Sequence, residues 1–247
     1  MKLLVVDIET TGFNANIDAI VEIGITLVDT KTKETTLVFD KVIKDKKFNP
    51  EIHSNSWIFQ NTTLTADDVI NANSLESYFD EIQALFDKYK MTAYNKSFDI
   101  RFLTAAGFKL TDVECLMKAA KRYSNYMING RVKIPSVEEI YNQFFVKDDN
   151  PYIEKHRAGS DAIDESNILL HMVGLKDNPP AETEKIIVTE TKVREINLID
   201  VDSILTFGKH KGKAFSEVVK TDKNYISWCL ENIPIFKLTV EAKKLLK

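Results

Sequence analysis

Leu3, Leu4, Val5 and Val6 form an unbroken apolar run that passes straight into Asp7, Ile8 and Glu9. Such a run predicts a strand buried on both faces. Residues 19–29, AIVEIGITLVD, carry apolar residues at alternate positions and predict a second strand, and 35–43, TTLVFDKVI, reads as a third. The turn at Asp29–Lys33 joins them as a hairpin. Polar loops rich in Asn, Ser and Thr follow, containing the aromatic cluster SWIFQ at 56–60. The period then changes. Leu75, Tyr78, Phe79, Ile82, Leu85, Phe86 and Tyr89 fall at three- and four-residue intervals, the apolar stripe of a helix over 75–89. A short strand at 91–94, a helix over 97–107 stopped at Gly107 and a short strand around Val113 come next. Further helices are expected at 115–124, 136–145 and 161–173.

Three strands followed by helices alternating with strands imply a mixed α/β sheet. The pattern ends near Gly174. KDNPPAETEK, residues 176–185, has paired prolines and three acids and reads as a linker. IIVTETKVREINLI (186–199) is one extended segment that either flanking unit can receive. Residues 204–219 read as a hairpin turning at Gly208–Gly212 into a helix, and 224–232 and 239–247 complete a small α+β unit. At about 50 residues this unit is near the lower limit for independent folding. The expected division is 1–175, a linker at 176–197, and 198–247.

The composition, 44 % hydrophobic and 28 % charged, is that of a soluble globular chain. No apolar run reaches the roughly 18 residues of a membrane span. MKLLVV begins like a signal peptide, but Asp7 and Glu9 break it, so a cytoplasmic protein is expected. Cys115 and Cys229 stand far apart in apolar segments and read as reduced core thiols, not a disulfide or zinc site. The net charge of −4 is unevenly spread: residues 198–247 carry nine Lys against six acids, a net of +3, leaving −7 for residues 1–197. An acidic body with a basic tail is compatible with nucleic-acid binding if the acids hold cations.

Three short stretches carry candidate chemistry. In Asp7-Ile8-Glu9-Thr10-Thr11-Gly12, both acids lie on one face of a strand, where like charges need neutralising. A bare D-x-E is more often the polar end of an ordinary strand; Thr-Thr-Gly adds close backbone approach beside a metal-ready pair. In YNKSFD (94–99), Ser97 and Asp99 suit a helix cap and first turn, and Asp99 equally suits a site facing the first strand. In HRAGSD (156–161), Ser160 and Asp161 open a helix, with Ala and Gly permitting close packing below His156.

The order D-x-E, N-x-x-F-D, H-x-A-x-x-D across residues 1 to about 175 resembles the DEDDh, or DnaQ-like, 3′→5′ exonucleases. The five-residue spacing from His156 to Asp161 matches the histidine branch of that family. The resemblance implies an RNase H-like fold with a mixed five-stranded sheet flanked by helices. It implies two Mg²⁺ ions, replaceable by Mn²⁺, held by Asp7, Glu9, Asp99 and Asp161, with His156 as the base. Imidazole, whose ordinary pKa is roughly 6.5, suits that role near neutral pH. By the same resemblance Thr10, Thr11 and Phe13 contact the terminal nucleotide, while Asn95 and Phe98 support it. Trp57 and Phe59 fall where substrate-contacting groups lie in relatives, and an anchoring role suits them equally. His53, His171 and His210 receive no catalytic role.

Residues from Leu205 onward resemble the module that follows the nuclease domain in exodeoxyribonuclease X-like proteins. There Lys209, His210, Lys211 and Lys213, flanked by Phe207 and Phe215, are candidates to grip phosphates and stack a base; a solvated basic turn over core aromatics is the alternative. The implied partner is DNA with single-stranded 3′ ends. An exoribonuclease and a catalytically silent binding or polymerase-docking subunit are the competing readings.

Overall fold

A computed structural model describes residues 1–147, 149–177, 186–187, 199–205, 208–232 and 238–246. The chain divides into two compact units, Met1–Ile187 and Val188–Lys247. In the first, β1 (Lys2–Thr10), β2 (Ile20–Asp29), β3 (Glu34–Val42) and β4 (Met91–Thr92) form a sheet in the order β3-β2-β1-β4. β1 pairs antiparallel with β2 and parallel with β4. The fifth strand expected near Val113 is reduced to one bridge between Met91 and Asp112. The chain is diverted there: Thr92 Oγ1 donates to Glu114 O at 2.7 Å, Lys96 binds Asp112 and the Val113 carbonyl, and a helix begins at Leu116.

Between β3 and β4 lie α1 (Pro50–His53), α2 (Trp57–Asn61), α3 (Ala66–Asn71) and α4 (Leu75–Lys88). The first three replace the expected loops, and two announce themselves by caps. Asn49 accepts from Glu51 N ahead of Pro50, and Thr65 with Asp68 forms a reciprocal capping box. α5 (Ser97–Ala105) ends at Gly107, whose φ of 104° supplies the left-handed turn expected there. α6 (Leu116–Ala120) is shorter than the predicted 115–124. A hairpin, β5 (Tyr126–Ile128) and β6 (Arg131–Val132), follows, turning through Asn129 and Gly130, both at positive φ. β7 (Ile186–Ile187) pairs with β5, so the extended segment after the expected linker joins the first unit at its start. α7 (Val137–Phe145) precedes α8 (Ala158–Asp177), which starts before and ends beyond the expected 161–173.

β1 is the central strand, and its two faces meet different layers. Leu4, Val6 and Ile8 pack with Ile82 and Phe86 of α4 and Phe102 and Leu103 of α5. Val5, on the other face, packs with Leu116, Ile140 and Ile168 of α6, α7 and α8. Alternation then assigns Asp7 and Glu9 to the α8 face. Each fully buried Val, Leu or Ile contributes about 1.5–3 kcal/mol. Five of them on β1, Leu3 to Val6 and Ile8, outweigh the several kcal/mol that a buried carboxylate typically costs, so the strand tolerates its acids.

The second unit holds α9 (Phe215–Thr221), α10 (Lys223–Asn232) and α11 (Val240–Lys244) around Leu205, Phe215, Val218, Ile226, Cys229, Leu238 and Ala242. Leu205 N donates to Lys213 O and Gly212 N to Leu205 O, closing the expected hairpin. Cys115 and Cys229 are free and buried, as core thiols should be. Among the described residues no helix is long and apolar enough to cross a membrane.

Candidate active site

Three rungs of the β1–β2 ladder build the floor of the site: Val5 opposite Thr26, Asp7 opposite Gly24, and Glu9 opposite Glu22. α8 lies across them. Its close approach needs the absence of side chains, since a Cβ on Gly24 would stand 2.1 Å from Ala158 O and one on Gly159 would stand 2.3 Å from the Asp40 carboxyl carbon. The small residues of HRAGSD and the glycine of β2 thus let the helix settle on the sheet. Thr26 Oγ1 and Ser166 Oγ, 2.6 Å apart and buried, fix it further along.

This seating brings the acids together. Asp99, in the first turn of α5, is 3 % exposed, and its charge acts on the Asp7 carboxyl of β1. Asp161, 1 % exposed, accepts at Oδ2 from Arg157 N at 3.0 Å. Ser160 does not cap α8; its hydroxyl donates to Arg157 O. Ligand atoms of Glu9, His156 and Asp161 lie within 4.8 Å of one another. Asp7 Oδ2 is buried and has no hydrogen-bond partner.

Burial, then mutual repulsion, raises these carboxyls. Burial and the neighbouring Asp161 push Glu9 up to about 9. Burial pushes Asp99 up to about 8, against its backbone hydrogen bonds. Asp7 stands well above the usual carboxylate range through burial and then Glu9, Glu165, Asp99 and Asp161. Asp161 is raised by burial, which outweighs its hydrogen bond from Arg157. Such a cluster is costly with its charges uncompensated. Its hard oxygen donors, one of them unpartnered, suit divalent cations, so the residues fit the metal that the motif implies.

Two acids outside the three motifs also face this cluster. Glu165, four residues after Asp161 on the same helix face, is 2 % exposed and accepts from Tyr94 N at 2.9 Å. Burial and Asp99 hold its carboxyl well above the ordinary range. Glu154 is pushed up to about 7 by burial and Asp161. The i,i+4 spacing was the only sequence signal for Glu165, and Glu154 had none.

The other candidates surround the cluster unequally. His156 sits in a left-handed conformation (φ 51°), and the Trp57 ring meets its imidazole edge-on at 5.0 Å. Trp57 is 56 % exposed. Phe13, 72 % exposed, meets Phe98 edge-on at 6.3 Å. Asn95 is exposed at φ 61° and turns the chain into α5. Thr10 Oγ1 donates to Gly12 O, while Thr11 N donates to Ala19 O and Thr11 Oγ1 accepts from Ala19 N, so these groups close the loop after β1. Phe59 packs on Phe48 in a separate small core. His53 accepts from Asn49 N and His171 packs on Phe144, both structural roles.

In the second unit, Lys209 Nζ and His210 Nε2 both bind Asp222 Oδ2, at 2.7 and 2.9 Å. Phe215 is fully buried and is core, not a stacking platform. Phe207 lies outside the described residues. Lys211 and Lys213 remain exposed.

Residues 4–168 match the model of the exonuclease (RNase T) family, and the chain belongs to that family. Residues 205–233 match the exodeoxyribonuclease X-like C-terminal model. A curated relative, the 3′-5′ exonuclease DinG of Bacillus subtilis (strain 168), is 29 % identical over 171 residues, 65 % of this chain; the chain spans only 16 % of that protein's length. Among solved structures, cell-death related nuclease 4 (CRN-4) is 16 % identical with a TM-score of 0.53, covering 70 % of this chain and 64 % of its own. The nuclease domain of 3′hExo, a DEDDh family member bound to rAMP, is 18 % identical with a TM-score of 0.51, covering 75 % and 97 %. E. coli Exonuclease I in complex with a dT13 oligonucleotide is 14 % identical with a TM-score of 0.52, covering 68 % and 40 %. At these identities the structural likeness is one of fold, the RNase H-like exonuclease fold.

Proposed function

We propose that the protein is a DEDDh-type 3′→5′ exonuclease that removes 5′-mononucleotides from single-stranded DNA 3′ ends. The observation that carries this reading is the convergence of acids from three chain segments on Asp7, whose Oδ2 is buried and unpartnered, with His156 beside Glu9 and Asp161. Asp7, Glu9, Asp99 and Asp161 would hold two Mg²⁺ or Mn²⁺ ions. Such ions, when bound, acidify water and offset the charge of the phosphate.

His156 takes the proton of the attacking water on an imidazole nitrogen. The water oxygen forms a bond to phosphorus, and the bond from phosphorus to the 3′ oxygen of the penultimate nucleotide breaks. That oxygen leaves, takes a proton from solvent water and becomes the new 3′-hydroxyl, while the imidazolium returns its proton to solvent and the released nucleotide keeps the 5′-phosphate. Glu9 and Asp161 stabilise the imidazolium that forms beside them. Phe13 and Trp57, exposed near the acids' loop and beside His156, offer aromatic faces to the terminal bases. The choice of DNA rests on the exodeoxyribonuclease X-like match of the second unit.

The test uses 5′-labelled single-stranded DNA, duplex DNA and RNA with Mg²⁺, Mn²⁺ or EDTA. Laddering from the 3′ end of single-stranded DNA is expected, abolished by EDTA and by the Asp7→Ala/Glu9→Ala variant. Activity surviving either treatment overturns the metal-dependent reading, and faster cleavage of RNA overturns the DNA assignment.

A further inference from the structure

His156 stands outside regular structure, in a backbone conformation uncommon for residues other than glycine, yet its ring must keep one position beside Glu9 and Asp161. The neighbouring residue supplies the anchor. Arg157 Nε donates to both Glu22 oxygens at 3.0 Å, and Nη2 donates to Glu22 Oε1 at 2.6 Å. Ala158 N donates to Glu22 Oε2 at 3.1 Å. Glu22 is 2 % exposed and lies directly across the β1–β2 ladder from Glu9. One rung of the sheet therefore carries both a metal-ready acid and the anchor of the segment that follows His156.

Arg157 also reaches the opposite wall. Its Nη1 donates to Thr63 Oγ1 at 3.0 Å, two residues beyond α2, the helix that presents Trp57 to the His156 ring. Its backbone N–H donates to Asp161. A single residue thus ties β2 and the chain after α2 through its side chain, and the start of α8 through its backbone N–H. The guanidinium also compensates Glu22, which would otherwise add another bare charge next to Glu9. A lysine keeps the charge but cannot span both carboxylate oxygens and Thr63.

We infer that Glu22 and Arg157 form a positioning pair that fixes His156 against Glu9 and Asp161. This rests on the reading of His156 as the proton acceptor, and the test separates the two.

Glu22→Gln, Arg157→Lys, His156→Asn and the His156→Asn/Arg157→Lys double variant are compared on single-stranded DNA with Mn²⁺. Melting curves confirm folding, and calorimetry measures Mn²⁺ binding without turnover. For Arg157→Lys and Glu22→Gln, kcat is expected to fall about 10–100-fold, the scale of a misplaced catalytic group. KM and Mn²⁺ affinity should stay within about twofold of the unaltered protein, a split that general unfolding does not give. The double variant should be no slower than His156→Asn alone, because a pair acting through His156 has nothing left to position. Losses that multiply in the double variant, or an Arg157→Lys protein with unaltered kcat, overturn the pair's role. If His156→Asn keeps full kcat, the base assignment fails. The His156 ring resonances then decide on positioning alone: displaced in Arg157→Lys they support it, unchanged they overturn it.

Discussion

Asp7 concentrates the conflict between stability and chemistry in this chain. It is surrounded by raised acids and keeps one buried oxygen without a partner. Asp7→Asn removes that charge at nearly constant shape. The metal-free variant should melt higher than the unaltered protein at pH 8, by about 2–4 °C for each kcal/mol of repulsion relieved, while nuclease activity is lost. A melting scan in EDTA beside the DNA assay checks both. The pH dependence has a definite sign. Glu9, Asp99 and Glu154 hold protons up to about 9, 8 and 7 in the native state, whereas the unfolded chain releases them near 4 to 4.5. Between those limits the native state binds more protons, so its stability falls as pH rises. In EDTA the melting temperature should drop steadily from pH 6 to 9, and saturating Mn²⁺ should flatten that slope. An EDTA series that stays flat removes this account. The motif acids were legible because residue type and spacing told together. Glu22, Glu154 and Glu165 were not: each is one acid among 37, and only the fold shows which of them lose water.

At the scale of elements, period and punctuation did most of the predicting. β1 to β3, α4, α5 and α7 stand close to their expected spans, β1 from its apolar run, β2 from alternation, α4 from three-to-four spacing and α5 from its stop at Gly107. The misses have physical causes. The short helices α1 and α3 depend on caps, not on periodicity, and their Asn-Pro and Thr-x-x-Asp signatures were present. The β5–β6 hairpin turns on Asn129-Gly130, a strong turn signal with too few strand residues around it to show alternation. The fifth strand failed because Thr92 and Lys96, not sequence near Val113, redirect the chain. The contact between β2 and α8 carries its own prediction. Gly24→Ala puts a methyl against Ala158 O, where backbone on both sides leaves no room. It should cost about 1–3 kcal/mol as an overpacking change and displace His156 and Asp161, so urea unfolding and activity should fall together. A variant as active and stable as the parent contradicts the close seating of α8.

For the whole molecule, charge and the two units set the expectation. The second unit builds its own core, and its hairpin spends Lys209 and His210 on Asp222. Only Lys211 and Lys213 of the basic candidates are exposed and outside that pairing. If they meet phosphate, Lys211→Ala/Lys213→Ala should weaken binding of single-stranded DNA equally for all sequences. It should also lower the slope of log affinity against log salt by about 1–2. An unchanged slope makes the hairpin a solvated turn. Composition exposed the basic tail but not the internal use of half its tip, because pairing across turn and helix has no linear signature.

The loop after β1 is closed at its base by the reciprocal bonds between Thr11 and Ala19, just beyond a register shift that separates Thr10 from the Glu9 rung. Residues 12–18, with exposed Phe13 and Ile17, therefore leave from a fixed base. If that segment meets substrate as proposed, its length and aromatic content are open to change on a fixed base: rewriting them alters which strand ends are held and leaves the β1 acids in place.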